Sequence, residues 1–313
     1  MKRRDILFIA ITFFLLHGAR PAPDPQNKIP RIIPYAGITV LVDNMAGGGP
    51  VLGEWGLSYL IKTDKHQILF DAGGGKTLKG NADALGVDLS KSDAIVISHG
   101  HPDHTGGLDK ALNMTGKVNL FIHPEAFSTS YWKDGSSAVP YKMSLSIEEI
   151  TPRVKEIIKT TSPVEISDGI FVTGGIPRRN DFEDTGLKGI AFKDAEMRVP
   201  DQVPDDQAIF FRVPEGLVVV LGCAHAGVVN TMDYISHVMG EEKIYAVIGG
   251  SHLIGASPER LEKTIEALKK YDVQKVMLSH CTGIKAFSAL NAALPNRCTW
   301  AASGNKIIFG TPQ

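Results

Sequence analysis

Along residues 36–283, short apolar runs alternate with amphipathic stretches, and the period of the pattern changes from one to the next. The β-branched run "GITVLVDNM" predicts a strand. "GLSYLIKTDKHQILFDAGGG" predicts two strands joined by a polar turn at 62–66, closing on Asp71 and three glycines. "TLKGNADALGVDLSKS" has helical spacing with Gly86 as its stop. "DAIVISHG" is a short buried strand, "GLDKALNMTG" a helix, and "VNLFIHPEAF" a strand and turn. Residues 128–160 are less regular, partly helical, and read as an insertion or a lid. Strands return in "PVEISDGIFVTGGIPR", and "AIFFRVPEGLVVVLGCAHAG" is a hairpin turned at 214–216. "VVNTMDYISHVMG" is a helix, "IYAVIGGSHL" a strand, "SPERLEKTIEALKKYD" a capped helix, and "KVMLSHCTG" a strand. Strands alternating with helices define an α/β chain. With no second linker in the pattern, residues 36–313 are expected to form one domain.

The first residues break this pattern. Lys2, Arg3 and Arg4 precede an almost wholly apolar run, Ile6 to Leu16, and small residues follow at Gly18, Ala19 and Ala22. That is the layout of a secretory signal peptide over residues 1–19, cleaved after Ala19. The run is shorter than the roughly 20 residues a membrane-spanning helix needs. Export to the periplasm or the medium is therefore expected, with retention of the segment as a membrane anchor as the alternative. Residues 20–35, rich in proline and polar groups, read as a linker. An apolar content of 43% supports a sizeable core and excludes a disordered chain. A formal net charge of -1 gives no bulk basic signal for nucleic acid, which leaves a small molecule as the expected partner. The three cysteines, Cys223, Cys281 and Cys298, are too few for a disulfide framework.

The candidate chemistry is concentrated in "SHGHPDHTGGL", residues 98–108, where His99, His101, Asp103 and His104 follow directly on an apolar strand. Neutral imidazole and carboxylate suit Zn²⁺, and Fe or Mn as well. Four ligands in one turn cannot complete two coordination shells, so other strand ends must contribute. Three histidines stand in that position: His225 in "LGCAHAG", His280 in "LSHCTG" and His252 in "IGGSHL". The carboxyl edge of the strands is where open α/β folds build their sites. His66 in a turn, His237 on a helix and His17 near the N-terminus are read as non-ligands, and His123 as a pocket wall. Cys223 and Cys281 flank ligand candidates, and the expectation for both is a buried, inert thiol. Arg178 in "GGIPRR" is a candidate for holding a phosphate or carboxylate.

The H-x-H-x-D-H turn followed by GGL resembles the signature of the metallo-β-lactamase fold superfamily, and "ILFDAG" its Asp-bearing strand end. Together with "TGGIPR", "DDQAIFF", "LGCAHAGVVN", "IGGSHL" and "SHCTG", the pattern is similar to one branch. That branch contains the 7,8-dihydropterin-6-methyl-4-(β-D-ribofuranosyl)aminobenzene-5'-phosphate synthase-like proteins. The resemblance implies a four-layer αβ/βα sandwich with a dinuclear site, zinc first among the candidates. By position, His99, His101 and His225 would serve one metal, and Asp103, His104 and His280 the other, with Asp71 orienting a ligand. Asp103 would also handle a proton.

The chain departs from the superfamily's usual G-H-T-x-G-H loop. "VPDDQAIFF" stands in its place and "GCAH" in the bridging region, which makes Asp205 or Asp206 a candidate ligand. Asp206 is favoured, and Asp205 is expected to behave as a surface residue. His252 is expected to line the pocket or support a ligand. The activity implied is metal-dependent hydrolysis of an ester, phosphoester or lactone-like bond by water activated on the metal. The alternatives are synthase-type group transfer and metal-dependent binding without turnover.

Overall fold

The computed structural model describes residues 31–241 and 243–311. The expected signal peptide, residues 1–19, and most of the linker lie outside the described residues. Among the described residues no helix is long and apolar enough to cross a membrane.

Two seven-stranded sheets form the framework. The first runs, in spatial order, Lys306–Gly310, Tyr35–Val42, Ser58–Thr63, Gln67–Phe70, Ala94–Val96, Asn119–Ile122 and Glu156–Lys159. Its pairs are antiparallel up to Gln67–Phe70 and parallel beyond it. The second runs Cys298–Trp300, Lys275–Ser279, Ile244–Gly250, Gly216–Leu221, Ala208–Val213, Ile170–Val172 and Val164–Ser167. Here the first four strands are parallel and the remainder antiparallel.

Side-chain alternation explains why the sheets stack and why helices cover them. Along Gly216–Leu221, Val218 and Val220 join the core between the sheets, where they meet Ile38, Val40, Ile61 and Phe70 of the first sheet. Leu217, Val219 and Leu221 face the other way and pack under the helices Val228–Met239, Pro258–Lys270 and Ile284–Ala293. On the far side, Leu41, Leu69, Ile95 and Leu120 pack against the helices Leu78–Ala84 and Leu108–Thr115. The result is the expected αβ/βα sandwich. Strands buried on both faces read as continuous apolar runs, which is why they were legible in sequence.

Residues 128–160 are partly helical, as read, but most of their regular structure is strand. They split into a hairpin, Ser130–Asp134 with Ser137–Tyr141, one helical turn, Ile147–Ile150, and the edge strand Glu156–Lys159 of the first sheet. The hairpin pairs with Ala191–Phe192 in a small third sheet. "EIIK" has exposed ends around two half-buried isoleucines and no alternation, so its strand character comes from pairing with Asn119–Ile122. The described end of the linker is docked too: Ile33 is buried, and its N–H donates to the Arg212 carbonyl.

Candidate metal centre

Every strand preceding a candidate ligand delivers it to the same edge. Gln67–Phe70 leads into Asp71, and its parallel neighbour Ala94–Val96 into Ser98 and His99. In the other sheet, the parallel strands Gly216–Leu221, Ile244–Gly250 and Lys275–Ser279 lead into Cys223 and His225, His252, and His280. Between His101 and Gly106 the chain makes one helical turn, Pro102–Thr105, with His101 at its N-cap. Gly107 is needed where this turn meets the Asp71 loop, because a Cβ there would lie 2.0 Å from the Ala72 carbonyl oxygen.

The side chains converge in overlapping sets whose ligand atoms lie within 4.8 Å of one another: His99, His101 and His225; Asp103, His104 and His280; and three sets that include Cys223. The orientation of the rings is more telling than their proximity. His104 Nδ1 lies 2.7 Å from Asp71 Oδ2, to which it donates. His225 Nδ1 donates to the Thr185 carbonyl at 2.8 Å. His280 Nδ1 donates to Asn44 Oδ1 at 2.9 Å. In each case the outer nitrogen donates, so Nε2 faces the common space; Asp71 and Asp103 raise His104 to about 9, so its Nε2 also holds a proton at neutral pH that a bound metal would displace. His225 Nε2 and His280 Nε2 are buried without a hydrogen-bond partner. His280 Nε2 is nevertheless only 3.1 Å from Asp103 Oδ2, an approach that two ligands of one cation make. Outer-nitrogen bonds of this kind orient metal-binding histidines generally. The residues therefore fit a pair of divalent cations.

Electrostatics agree with a cation-binding role. Burial and the neighbouring imidazoles push His99 and His225 well below the usual histidine range, and burial brings His101 down to about 4. All three are neutral at pH 7 and available as ligands. Burial alone would raise the Asp103 carboxyl, but His104 and His280 hold it well below its ordinary range. It is an ionised acceptor.

The remaining candidates take other places. Asp71 is fully buried and accepts from Ser98 N–H, Ser98 Oγ and His104, which locks the cluster loop. Asp206 is in none of the ligand sets; its Oδ2 accepts from Ala226 N–H, beside His225. Asp205 is not a surface residue: it is buried and accepts from Gly100 N–H at 2.7 Å, inside the H-x-H turn. An outward-facing Asp205 would require a strand through 205–206, but the strand begins only at Ala208, after a turn in which Val203 has φ 46°. Asp205→Ala should accordingly destabilise the protein by about 1–3 kcal/mol, the cost of an orphaned buried donor; urea unfolding of parent and variant at matched metal loading measures this.

Arg178 spends its Nη groups on the carbonyls of His225 and Gln202, so it ties the His225 loop to a neighbouring loop. His252 lies in a ligand set with Cys223 and His225, its ring 4.3 Å from that of His225. Gly186 passes directly over it, where a Cβ would come 2.0 Å from His252 Cδ2. His66 lies 3.4 Å from Asp93 on the periphery, and His123 Nδ1 accepts from Glu125 N–H; neither joins a ligand set.

Sequence reasoning missed several supporting groups. Asp43 Oδ1 accepts His280 N–H, and Asn44 holds the His280 ring. "VDNM" at the end of the first strand was the available signal, since a polar pair there sits at the functional edge. Tyr141, at the end of the hairpin, donates to Asp103 Oδ1 at 3.2 Å and packs edge-on to His101. Nothing local marks that tyrosine. Beside His101 lies a polar recess lined by Glu125, Ser130, Tyr141, Lys193, Asp201 and Asp205.

Comparison with known proteins agrees with this architecture. Residues 56–232 match the metallo-beta-lactamase superfamily. The chain is 33% identical over 259 residues to 7,8-dihydropterin-6-methyl-4-(beta-D-ribofuranosyl)-aminobenzene-5'-phosphate synthase of Methanocaldococcus jannaschii, covering 80% of this chain and 88% of that protein. The crystal structure of Tm1679, described as a metal-dependent hydrolase of the beta-lactamase superfamily, has a TM-score of 0.74 at 28% identity and covers 87% of this chain and 98% of its own. A diphosphatase of the PhnP family shares the fold, with a TM-score of 0.51, 15% identity, and coverage of 88% of this chain and 97% of its own. The H-x-H-x-D-H turn at the shared edge of two facing sheets thus has its explanation in ancestry as well as in geometry: the chain belongs to the metallo-β-lactamase superfamily.

Proposed function

We propose that the protein is a dinuclear metal-dependent hydrolase, with zinc the best-matched ion, acting on an ester, phosphoester or lactone-like bond of a polar small molecule. The observation that carries this reading is the outward tethering of His104, His225 and His280, which turns three Nε2 atoms inward, those of His104 and His280 beside Asp103 and that of His225 beside His99 and His101. His99, His101 and His225 would hold one ion, and Asp103, His104 and His280 the other. Bound there, such ions supply Lewis-acid polarisation of the scissile group and an acidified water. Asp103, whose Oδ1 accepts the Tyr141 hydroxyl, would take up the proton that the water gives up. Tyr141 then keeps the carboxylate oriented. In the recess beside His101, Ser130 and Lys193 are both held by Asp201. Export fits the layout of residues 1–19, and protein recovered from the host is expected to begin near Arg20.

A second reading, group transfer, is favoured by the 33% identity to a synthase. The two are separated by one set of assays. Purified protein is expected to carry two metal equivalents, and to cleave at least one generic phosphodiester, ester or lactone without any acceptor other than water. Stripping with a chelator should remove turnover, and adding Zn²⁺ back should restore it. Turnover only in the presence of an added nucleophilic acceptor would support transfer. Metal without turnover of any substrate would support a binding protein, and a chain that retains no metal would overturn the reading.

A further inference from the structure

Helix Pro258–Lys270 carries a cation on its buried face. Arg260, Thr264, Ala267 and Leu268 are its buried residues, and Arg260 is 2% exposed. In an amphipathic helix that stripe takes apolar side chains when packing alone decides it. Among the described residues the guanidinium has one acceptor. Its Nη1 donates to Asp184 Oδ1 at 2.8 Å, while Nε and Nη2 are buried without a partner. A buried cation with open donors is less stable than an apolar side chain of similar volume. The reason for Arg260 lies with the segment it holds.

Asp184 belongs to residues 177–190, "PRRNDFEDTGLKGI", which run without helix or strand from Ile170–Val172 towards Ala191–Phe192. Asp184 Oδ1 also accepts Gly186 N–H at 2.9 Å, which closes a turn around Thr185. That turn presents the Thr185 carbonyl to His225 Nδ1 at 2.8 Å and lays Gly186 over the His252 ring. Beside it, Glu183 accepts from Val229 N–H and Asn230 N–H at the start of helix Val228–Met239. Glu183 ties the segment to one helix and Arg260 ties it to another. One hydrogen-bonded chain thus runs from Arg260 through Asp184 and the Thr185 turn to His225.

Resting on the metal centre described above, we propose that Arg260 is a positioning residue for the metal position of His99, His101 and His225. Its bond to Asp184 sets the direction of the Thr185 carbonyl, and that carbonyl holds the His225 ring with Nε2 inward. The other position is set by Asp71, Asp43 and Asn44, whose bonds to His104 and His280 do not involve the segment. Loss of Arg260 should weaken one metal and spare the other.

The test measures Zn²⁺ binding to full-length parent and variants by competition with a chromophoric chelator, and folding by urea unfolding in excess chelator. Arg260→Met should unfold at no lower urea concentration than the parent, because an apolar side chain replaces the buried cation and Asp184, with its side chain 63% exposed, stays solvated. One of its two zinc equivalents should bind about 10–100-fold more weakly, as when an outer partner of a ligand is lost, and the other as in the parent. Asp184→Ala should show the same selective loss. The double variant should lose no more than either single one, because both changes cut one chain. Two unchanged equivalents in Arg260→Met, equal weakening of both, or losses that add in the double variant overturn the proposal while leaving the metal centre intact. A parent that binds no zinc overturns the metal centre and the proposal with it. If Arg260→Met does not fold, Asp184→Ala decides: selective loss supports the positioning role, and unchanged binding overturns it.

Discussion

Replacing Asp103 with asparagine is expected to lower kcat/KM by about 10²–10⁴-fold, the usual contribution of a positioned general acid or base. Its Oδ2 lies 3.1 Å from His280 Nε2 and 3.9 Å from His104 Nε2, while Oδ1 accepts the Tyr141 hydroxyl. Asparagine keeps the shape and an acceptor for Tyr141. It removes the negative charge that His104 and His280 face, and it cannot take up a proton. The protein should stay folded, because asparagine matches the size and shape of this largely buried side chain. Steady-state kinetics with circular dichroism of both proteins provide the measurement. Turnover within a few-fold of the parent would remove Asp103 from the chemistry.

Asp71→Asn is expected to be the most damaging conservative change in the protein. Oδ1 of Asp71 accepts Ser98 N–H, and Oδ2 accepts both Ser98 Oγ–H and His104 Nδ1–H. Asparagine can satisfy the backbone N–H with its oxygen. Its amide then donates toward His104 Nδ1, which forces the ring proton onto Nε2 and blocks that nitrogen as a ligand. Metal affinity should fall by about 10–100-fold, as when an outer hydrogen-bond partner of a ligand is lost.

The metal-free protein should lose about 3–5 kcal/mol, because a buried ion pair loses one member. That loss depends on pH in a definite sense. Burial lowers the His104 value, but Asp71 and Asp103 outweigh burial and raise it to about 9. A raised histidine contributes stability that is fully present below the unfolded value of about 6.5 and is lost as pH rises through about 9. The gap between parent and Asp71→Asn, measured by urea unfolding in the presence of chelator, should therefore be widest near pH 6 and shrink above pH 9. A gap that is constant across this range would show that the Asp71–His104 pair is not charged.

The candidate metal ligands were legible because their chemistry is local. His99, His101, Asp103 and His104 lie within six positions, and His225, His252 and His280 each follow a buried apolar run. Such runs end at the functional edge of an α/β sheet, so a polar residue directly after one announces itself. The supporting groups were harder to read. Asn44 is 236 residues from His280, Thr185 is 40 from His225, and Asp205 is 105 from Gly100. Each is an ordinary polar residue whose role is set by a partner far along the chain.

Sequence alone determined the α/β class, the strands buried on both faces, the ligand-bearing turn and the three further strand-end histidines. Burial on both faces imposes continuous apolar runs, and ligation demands particular side chains at close spacing. Tertiary structure alone decided the rest. It paired Lys306–Gly310 with the first strand, turned "EIIK" into an edge strand, brought Tyr141 to Asp103 and buried Asp205 under the H-x-H turn. It also placed Cys223 among ligands from both sheets. Those outcomes depend on which segments meet in space, and a half-exposed strand, a lone tyrosine or a single thiol carries no local pattern that encodes its partner.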